Sequence, residues 1–444
     1  MRLGVFGILF FLLCLSLAGG QEPPKVIRPA DAAKKVNEEV TLQMEVKSAV
    51  LRAKDCFLNS EKDFKDAENV TIFIDKEALA KFNGARIEDP AAYFKGKTVQ
   101  VKGTVTLYRD RPEMKATGPD AIKVVAMQAQ PPGSSFKVLK KYELGGEGSW
   151  DYLTIDADAR RLYITRGSHV MVMDVDNGKI VGDIPKTMGV HGVVLAPKLK
   201  RGFTSNGGDS TVTIFDMTTL KETARVKVGD SPDAILYDPA TDRVFTFNAK
   251  SKDATAIAGD TGAVVGTVKL GGRPEAGVSD EKGMVYVNVQ DKHEVVAFDA
   301  KELVVKSRWS VAPGELPTGL GIDLAKRRLF VSCRNDKMVV LGADTGKILG
   351  SLPIGKGTDA CVFDANANLA FSSNKDGTLT VVEAPATGPY RVLANVLTQV
   401  GAKTMALDAK TQNIYLATAQ FGEAKAGQKA ALVPGTFTIL VVGK

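Results

Sequence analysis

From residue 136 onward the chain alternates apolar and polar positions at period two, in short runs separated by Asp-, Gly- and Pro-containing turns. That period predicts antiparallel strands rather than helices. The runs ending "LTID" (153–156), "VLAP" (194–197), "LYD" (236–238), "VSD" (278–280), "GID" (321–323), "VFD" (362–364) and "ALD" (406–408) are each followed, six or seven residues later, by an aromatic. It falls at Tyr163, Phe203, Phe245, Tyr286, Phe330, Phe371 and Tyr415, about 40 to 44 residues apart. Each unit reads as four strands. A lone four-stranded sheet leaves both apolar faces wet, so the units must stack, and closing the stack into a ring covers every face. The seventh unit ends at "GTFTILVVGK" (435–444) with only a third strand, and "SSFKVLKKYEL" (134–144) is placed to supply the fourth. The prediction is an all-β, seven-bladed β-propeller zipped shut by its N-terminal strand.

Residues 22–128 follow another pattern. A short helix (28–40) precedes a long bent strand (40–53) and two further strands (56–64, 69–75). Helical stretches follow at 76–82 and 89–94, then a strand hairpin (97–117) and a last strand (120–125). That order predicts an OB-fold-like β-barrel. "AQPPGSS" (129–135) is a linker by composition, and 136–444 forms the propeller. The first residues add a targeting segment. One positive charge, an apolar run from Leu3 to Leu15, small residues to Gly20 and then polar Gln21 have the layout of a signal peptide over 1–20. The expectation is an exported chain, periplasmic or secreted, with no membrane span after cleavage.

Composition changes little. The chain is 44% apolar and 25% charged, with a net charge of +7 spread over mixed acidic and basic residues. That supports weak attraction to anionic partners and no more. Beyond the leader only Cys56, Cys333 and Cys361 remain. They are read as buried free thiols, with one Cys333–Cys361 bridge as the alternative.

The tetrads "YITR" (163–166), "FTSN" (203–206), "FTFN" (245–248) and "FSSN" (371–374), set between Asp turns and "TG" turns, resemble the YVTN repeat of the YncE-like propeller family. The resemblance spans about 300 residues and implies the same propeller, without one chemistry attached. "YVNV" (286–289), "FVSC" (330–333) and "YLAT" (415–418) depart from it by lacking the final Asn.

Familiar catalytic signatures are missing. "GSLPIGKG" (350–357) lacks the Ser/Thr that a phosphate-binding P-loop places after its Lys, and it repeats the fourth-strand position of other blades. His169, His191 and His293 stand apart from metal-ligand spacing. What remains is geometry. Propeller topology places Asp151, His191, Asp233, Glu275, Thr318 and Asp359 at one mouth of the channel, with Arg166, Asn206, Asn248, Arg334 and Asn374 following the tetrads on the same face. Such a ring suits a polar ligand, a protein partner or a Ca2+ ion in the mouth. The plainer role is capping of strand ends.

In the N-terminal module, Phe57, Tyr108, Arg109, Arg111 and Lys115 are candidates for stacking and pairing with single-stranded nucleic acid. The alternative is that the aromatics pack the barrel and the cations solvate a hairpin. The expectation is a non-catalytic binding or scaffold protein needing no cofactor. Two alternatives stand beside it: single-strand binding through the module, and a metal-dependent, lactonase-like hydrolase using the mouth carboxylates.

Overall fold

The computed structural model describes residues 26–27, 29–66, 68–85, 87–124, 136–422 and 431–444. The signal segment 1–20 and the linker 129–135 lie outside these residues. The chain divides into two compact units at residues 129/130.

The first unit has strands β1 (Val26–Ile27), β2 (Glu39–Glu45), β3 (Ser48–Leu51), β4 (Cys56–Asn59), β5 (Thr71–Ile74), β6 (Thr98–Tyr108), β7 (Arg111–Lys115) and β8 (Ile122–Val124). Its helices are α1 (Pro29–Ala32), α2 (Lys76–Gly84) and α3 (Pro90–Phe94). Asp75 and Asp89 start α2 and α3 by accepting from the backbone N–H groups of Ala78 and Ala92, each at 2.9 Å. β2 and β3 act as one bent strand. The first half pairs with β6, the second with β4, and the path runs on through β5 and β7 back to β6. Only β5–β7 and β1–β2 are parallel among the described pairs. The alternation of β2, β5 and β6 aims Leu42, Met44, Ile72, Ile74, Val99 and Val101 inward to the core.

The second unit is seven four-stranded antiparallel sheets. The innermost strands are Leu153–Asp156, Val190–Ala196, Pro232–Asp238, Pro274–Ser279, Pro317–Asp323, Thr358–Asp364 and Thr404–Asp408, numbered here as blades 1 to 7. Blade 7 consists of Thr404–Asp408, Asn413–Thr418, Thr438–Gly443 and Lys137–Glu143, so the N-terminal strand closes the ring as expected. The recurring aromatics all sit on second strands with at most 1% exposure, wedged between blades. Phe245 meets Phe298 with ring centroids 5.3 Å apart, and Tyr163 meets Phe215 at 5.9 Å. The Asp turns also bind across blades. Arg160 of blade 1 donates to Asp408 of blade 7 at 2.5 Å, as Arg327 of blade 5 donates to Asp280 of blade 4 at 3.0 Å. The closing junction is thus built like an ordinary one. Cys56, Cys333 and Cys361 are buried free thiols, so the alternative Cys333–Cys361 bridge is not formed.

Candidate functional site

Each inner strand carries one residue opposite the repeated aromatic: Thr154, Val194, Leu236, Val278, Gly321, Val362 and Ala406. Three residues earlier in every blade stand Asp151, His191, Asp233, Glu275, Thr318, Asp359 and Lys403. These seven equivalent positions form the mouth. One step deeper the blades carry Gly192, Ala234, Ala276, Gly319, Ala360 and Thr404, but blade 1 carries Tyr152. The channel beneath, about 180 Å³, is lined by residues of all seven blades, Tyr152 among them. The phenol is pushed well above its usual pKa by burial and by the carboxylates of Glu275, Asp233, Asp359 and Asp151. Four carboxylates from four blades therefore converge on one ring.

The tetrads hold this ring, from the neighbouring blade or from their own. The hydroxyls of Ser205 and Ser373 donate to the carbonyls of Asp233 and Lys403. The Asn288 amide donates to the Thr318 carbonyl at 2.9 Å. In blade 1, Thr165 Oγ1 accepts from the Asp151 N–H at 3.0 Å and donates to the Tyr152 carbonyl at 3.1 Å. The third tetrad residue thus fixes where the ring backbone sits.

Charge within the ring is unevenly matched. His191 Nδ1 lies 2.7 Å from Asp151 Oδ2 and 3.5 Å from Asp233 Oδ1. The hydrogen bond to Asp151 raises the imidazole pKa against the opposing effect of burial, with help from the charges of Asp233 and Glu275. Lys403 is ion-paired to Asp359 and stands 3.8 Å from Asp151 Oδ1; Arg334 Nη2 reaches Asp359 at 3.3 Å. Burial depresses the Lys403 ammonium, but the charges of Asp359 and Asp151 outweigh it and hold its pKa above the usual value. Asp233 is raised by burial, partly offset by His191. Glu275 fares worst. Its nearest cation is Arg273 Nη2 at 3.9 Å, and its Oε2 is buried with no hydrogen-bond partner among the described residues. Burial, reinforced by Asp233 and Asp359, pushes its carboxyl up to about 8.

Several candidates stand elsewhere. Asn206, Asn248 and Asn374 are fully buried in a repeated clamp. Asn248 Nδ2 donates to Asp253 Oδ1 at 2.8 Å and Thr255 Oγ1 at 3.0 Å, and its Oδ1 accepts from Thr246 at 3.0 Å. Asn206 and Asn374 make the same three bonds with Thr204, Thr211 and Thr213, and with Ser372, Thr378 and Thr380. Thr255 and Thr380 also accept from the N–H groups of Gly229 and Gly355, both at 3.1 Å. A Cβ at Gly355 would lie 2.2 Å from Thr378 Oγ1 and 2.5 Å from Asn374 Nδ2, which accounts for a glycine in "GSLPIGKG". Arg166 is buried too. It lies over the Phe437 ring at 3.7 Å and donates to the Glu147 carbonyl at 2.7 Å, and burial lowers its pKa to about 10. Thr318 Oγ1 is bonded to the carbonyls of Ser332 and Thr358, both at 3.2 Å. Asp151, His191, Asp233, Glu275, Asp359 and Arg334 are brought together; Tyr152, Arg273 and Lys403 were missed. Lys403 had a signal, since counting back three residues from Ala406 reaches it.

In the first unit, Tyr108 is 58% exposed on the hairpin and the Arg109 guanidinium lies 5.4 Å from its ring centroid. Phe57 is half-buried beside Phe73 at 5.3 Å, with Arg52 5.5 Å from its ring centroid. Neither aromatic belongs to the core of that unit. Arg111 donates to the Phe64 carbonyl at 2.8 Å, and Lys115 pairs with Asp75 at 2.6 Å, so both are tied into the module.

Fold and mouth together define a class: a seven-bladed β-propeller with a polar ring built on one register of its inner strands. No protein-family model matches the chain. No curated protein matches it either. Among solved structures it is similar to a chain described as "Crystal Structure of Mitotic Checkpoint Complex". The TM-score is 0.57 at 11% identity, over 71% of this chain and 95% of that one. At that identity the likeness speaks for the fold alone.

Proposed function

We propose that this is a binding protein without catalysis, whose propeller recognises a polar or cationic ligand, or a partner presenting one, at the channel mouth. One observation carries this reading. Four carboxylates occupy equivalent positions of four blades, and burial reinforced by neighbouring carboxylates disfavours the charges of two of them, Asp233 and Glu275. Ring closure and blade packing need none of them; other blades place Thr318 or Lys403 there. Charges held at such expense, at the concave end of a channel, fit recognition. The tetrads fit the YncE-like repeat, and the leader fits an exported protein meeting its partner outside the cytoplasm.

The test is capture from an envelope extract by the full chain, reading both proteins and small molecules by mass spectrometry. A specific ligand should be retained by the wild type and lost in Asp233→Asn with Glu275→Gln. Retention unchanged in that double variant would overturn the reading.

A second reading has its own observation. The strand path of the first unit, with β5–β7 parallel, suits an OB-fold barrel, and Tyr108 with Arg109 and Phe57 with Arg52 offer stacking platforms on its surface. Titration of a labelled oligonucleotide at two salt concentrations tests single-strand binding, which must weaken as salt rises. No binding at low salt would sink it.

A further inference from the structure

We propose that the channel mouth is a site for a first-row transition dication of zinc's class, ligated by Asp151, His191 and Asp233 with Glu275 as a further donor. This rests on the mouth being a recognition site. Asp151, His191 and Asp233 each offer a donor atom, and these atoms lie within 4.8 Å of one another. Donors about 2.0–2.2 Å from a shared tetrahedral ion stand roughly 3.4 Å apart. The separations of 2.7 and 3.5 Å from His191 Nδ1 to the two carboxylates bracket that span. An ion replacing the Nδ1 proton needs only small shifts.

The second observation comes from Glu275, which lies outside that trio. It is 5% exposed, and its Oε2 is buried without a hydrogen-bond partner among the described residues. It holds the ring position equivalent to those of Asp151, His191 and Asp233, in the blade next to that of Asp233, and burial with the charges of Asp233 and Asp359 raises its pKa. Arg273 Nη2, 3.9 Å from that same oxygen, stands beyond hydrogen-bond reach, so the buried oxygen has room for a further partner, and a cation among carboxylates is one. Asp359 is not available. Lys403 and Arg334 occupy its oxygens, and that pairing keeps Lys403 3.8 Å away from Asp151.

The donor set selects the metal. Calcium and magnesium take oxygen ligands, typically six or more for calcium. One imidazole nitrogen with carboxylates and no thiolate suits zinc and its first-row neighbours. The nitrogen of His191 therefore moves the expectation away from Ca2+.

The test uses the full chain, untagged, stripped with chelator and dialysed. Calorimetric titration with Zn2+ should show one saturable site per chain. His191→Ala and Asp233→Asn should each weaken it roughly tenfold or more. Glu302→Gln, an exposed carboxylate on the turn between the third and fourth strands of blade 4, should bind like the wild type, and a native circular-dichroism spectrum in each variant excludes unfolding. No saturable binding by the wild type, or binding unchanged in His191→Ala, overturns the proposal; so does Ca2+ binding as tightly as Zn2+. The two readings fail separately: ligand capture that survives chelation but needs Asp233 and Glu275 keeps recognition and removes the metal.

Discussion

Two sets of buried polar residues recur around the same propeller and behave oppositely. The asparagines of the tetrads make three hydrogen bonds each, all within their own blade. The mouth carboxylates share their cations unequally, and Glu275 Oε2 has no hydrogen bond among the described residues. Both sets repeat at blade spacing, so repetition does not separate architecture from function. Satisfaction does. A fully bonded polar group stabilises the fold that buries it, whereas an unsatisfied charge destabilises that fold and persists for another reason.

Substitutions should break this comparison cleanly. The largest effect is expected at the clamp. Asn248→Ala strips partners from Thr246, Asp253 and Thr255 at once. It should destabilise the propeller by about 3 kcal/mol in a denaturant titration. A loss within error would mean the clamp is ornamental. Next comes the closing junction, where Arg160→Ala leaves the fully buried side chain of Asp408 without its cation. Because Thr411 and the backbone N–H of Lys410 still donate to Asp408, the expected loss is about 2 kcal/mol. Equal melting temperatures for variant and wild type would argue against that bridge.

The mouth should respond with the opposite sign. In chelator-treated protein, Glu275→Gln removes a repelled charge and should stabilise by about 1 kcal/mol at pH 8. The pH dependence follows from the same carboxyl. Its folded value is about 8 against an ordinary 4.5. Below pH 4.5 both states are protonated and nothing is lost. Between 4.5 and 8 the unfolded chain releases a proton that the folded chain retains, so stability falls as pH rises. His191, raised by Asp151, has the same sign: its contribution is full below its ordinary 6.5 and fades as pH climbs through the folded value. Melting temperatures across pH 4 to 9 should therefore decline in the wild type and flatten in Glu275→Gln. A flat wild-type profile would show that the mouth carries no such penalty.

How much of this was written in the sequence depends on which physics each feature uses. Tyr163, Phe203 and their equivalents were readable because strand period and blade length are one-dimensional patterns. Closure by Lys137–Glu143 followed from a missing strand. Six mouth positions were readable from the same offset. Lys403 escaped because its charge is opposite to that of the four carboxylates sharing its register, and Tyr152 because its meaning lies in the Gly, Ala and Thr that replace it in other blades. The burial of the asparagines was not legible for a different reason. Position along a strand does not say which way its last side chain turns. The pointer was downstream, in Thr211 and Thr213, Asp253 and Thr255, and Thr378 and Thr380, whose alternation puts two acceptors on one face beside each Asn.

The smallest expected effect bears on the first unit and sharpens the same distinction. Tyr108 is exposed, its ring outside the core, with Arg109 lying over it. Tyr108→Ala should change stability by less than about 0.5 kcal/mol, as surface substitutions do. If the hairpin is a stacking platform, the same variant should weaken oligonucleotide binding by about 1–3 kcal/mol, roughly tenfold or more. Asn248 would then matter to folding alone and Tyr108 to binding alone. A Tyr108→Ala chain that unfolds more readily yet binds as before would reverse that assignment and make the hairpin part of the scaffold.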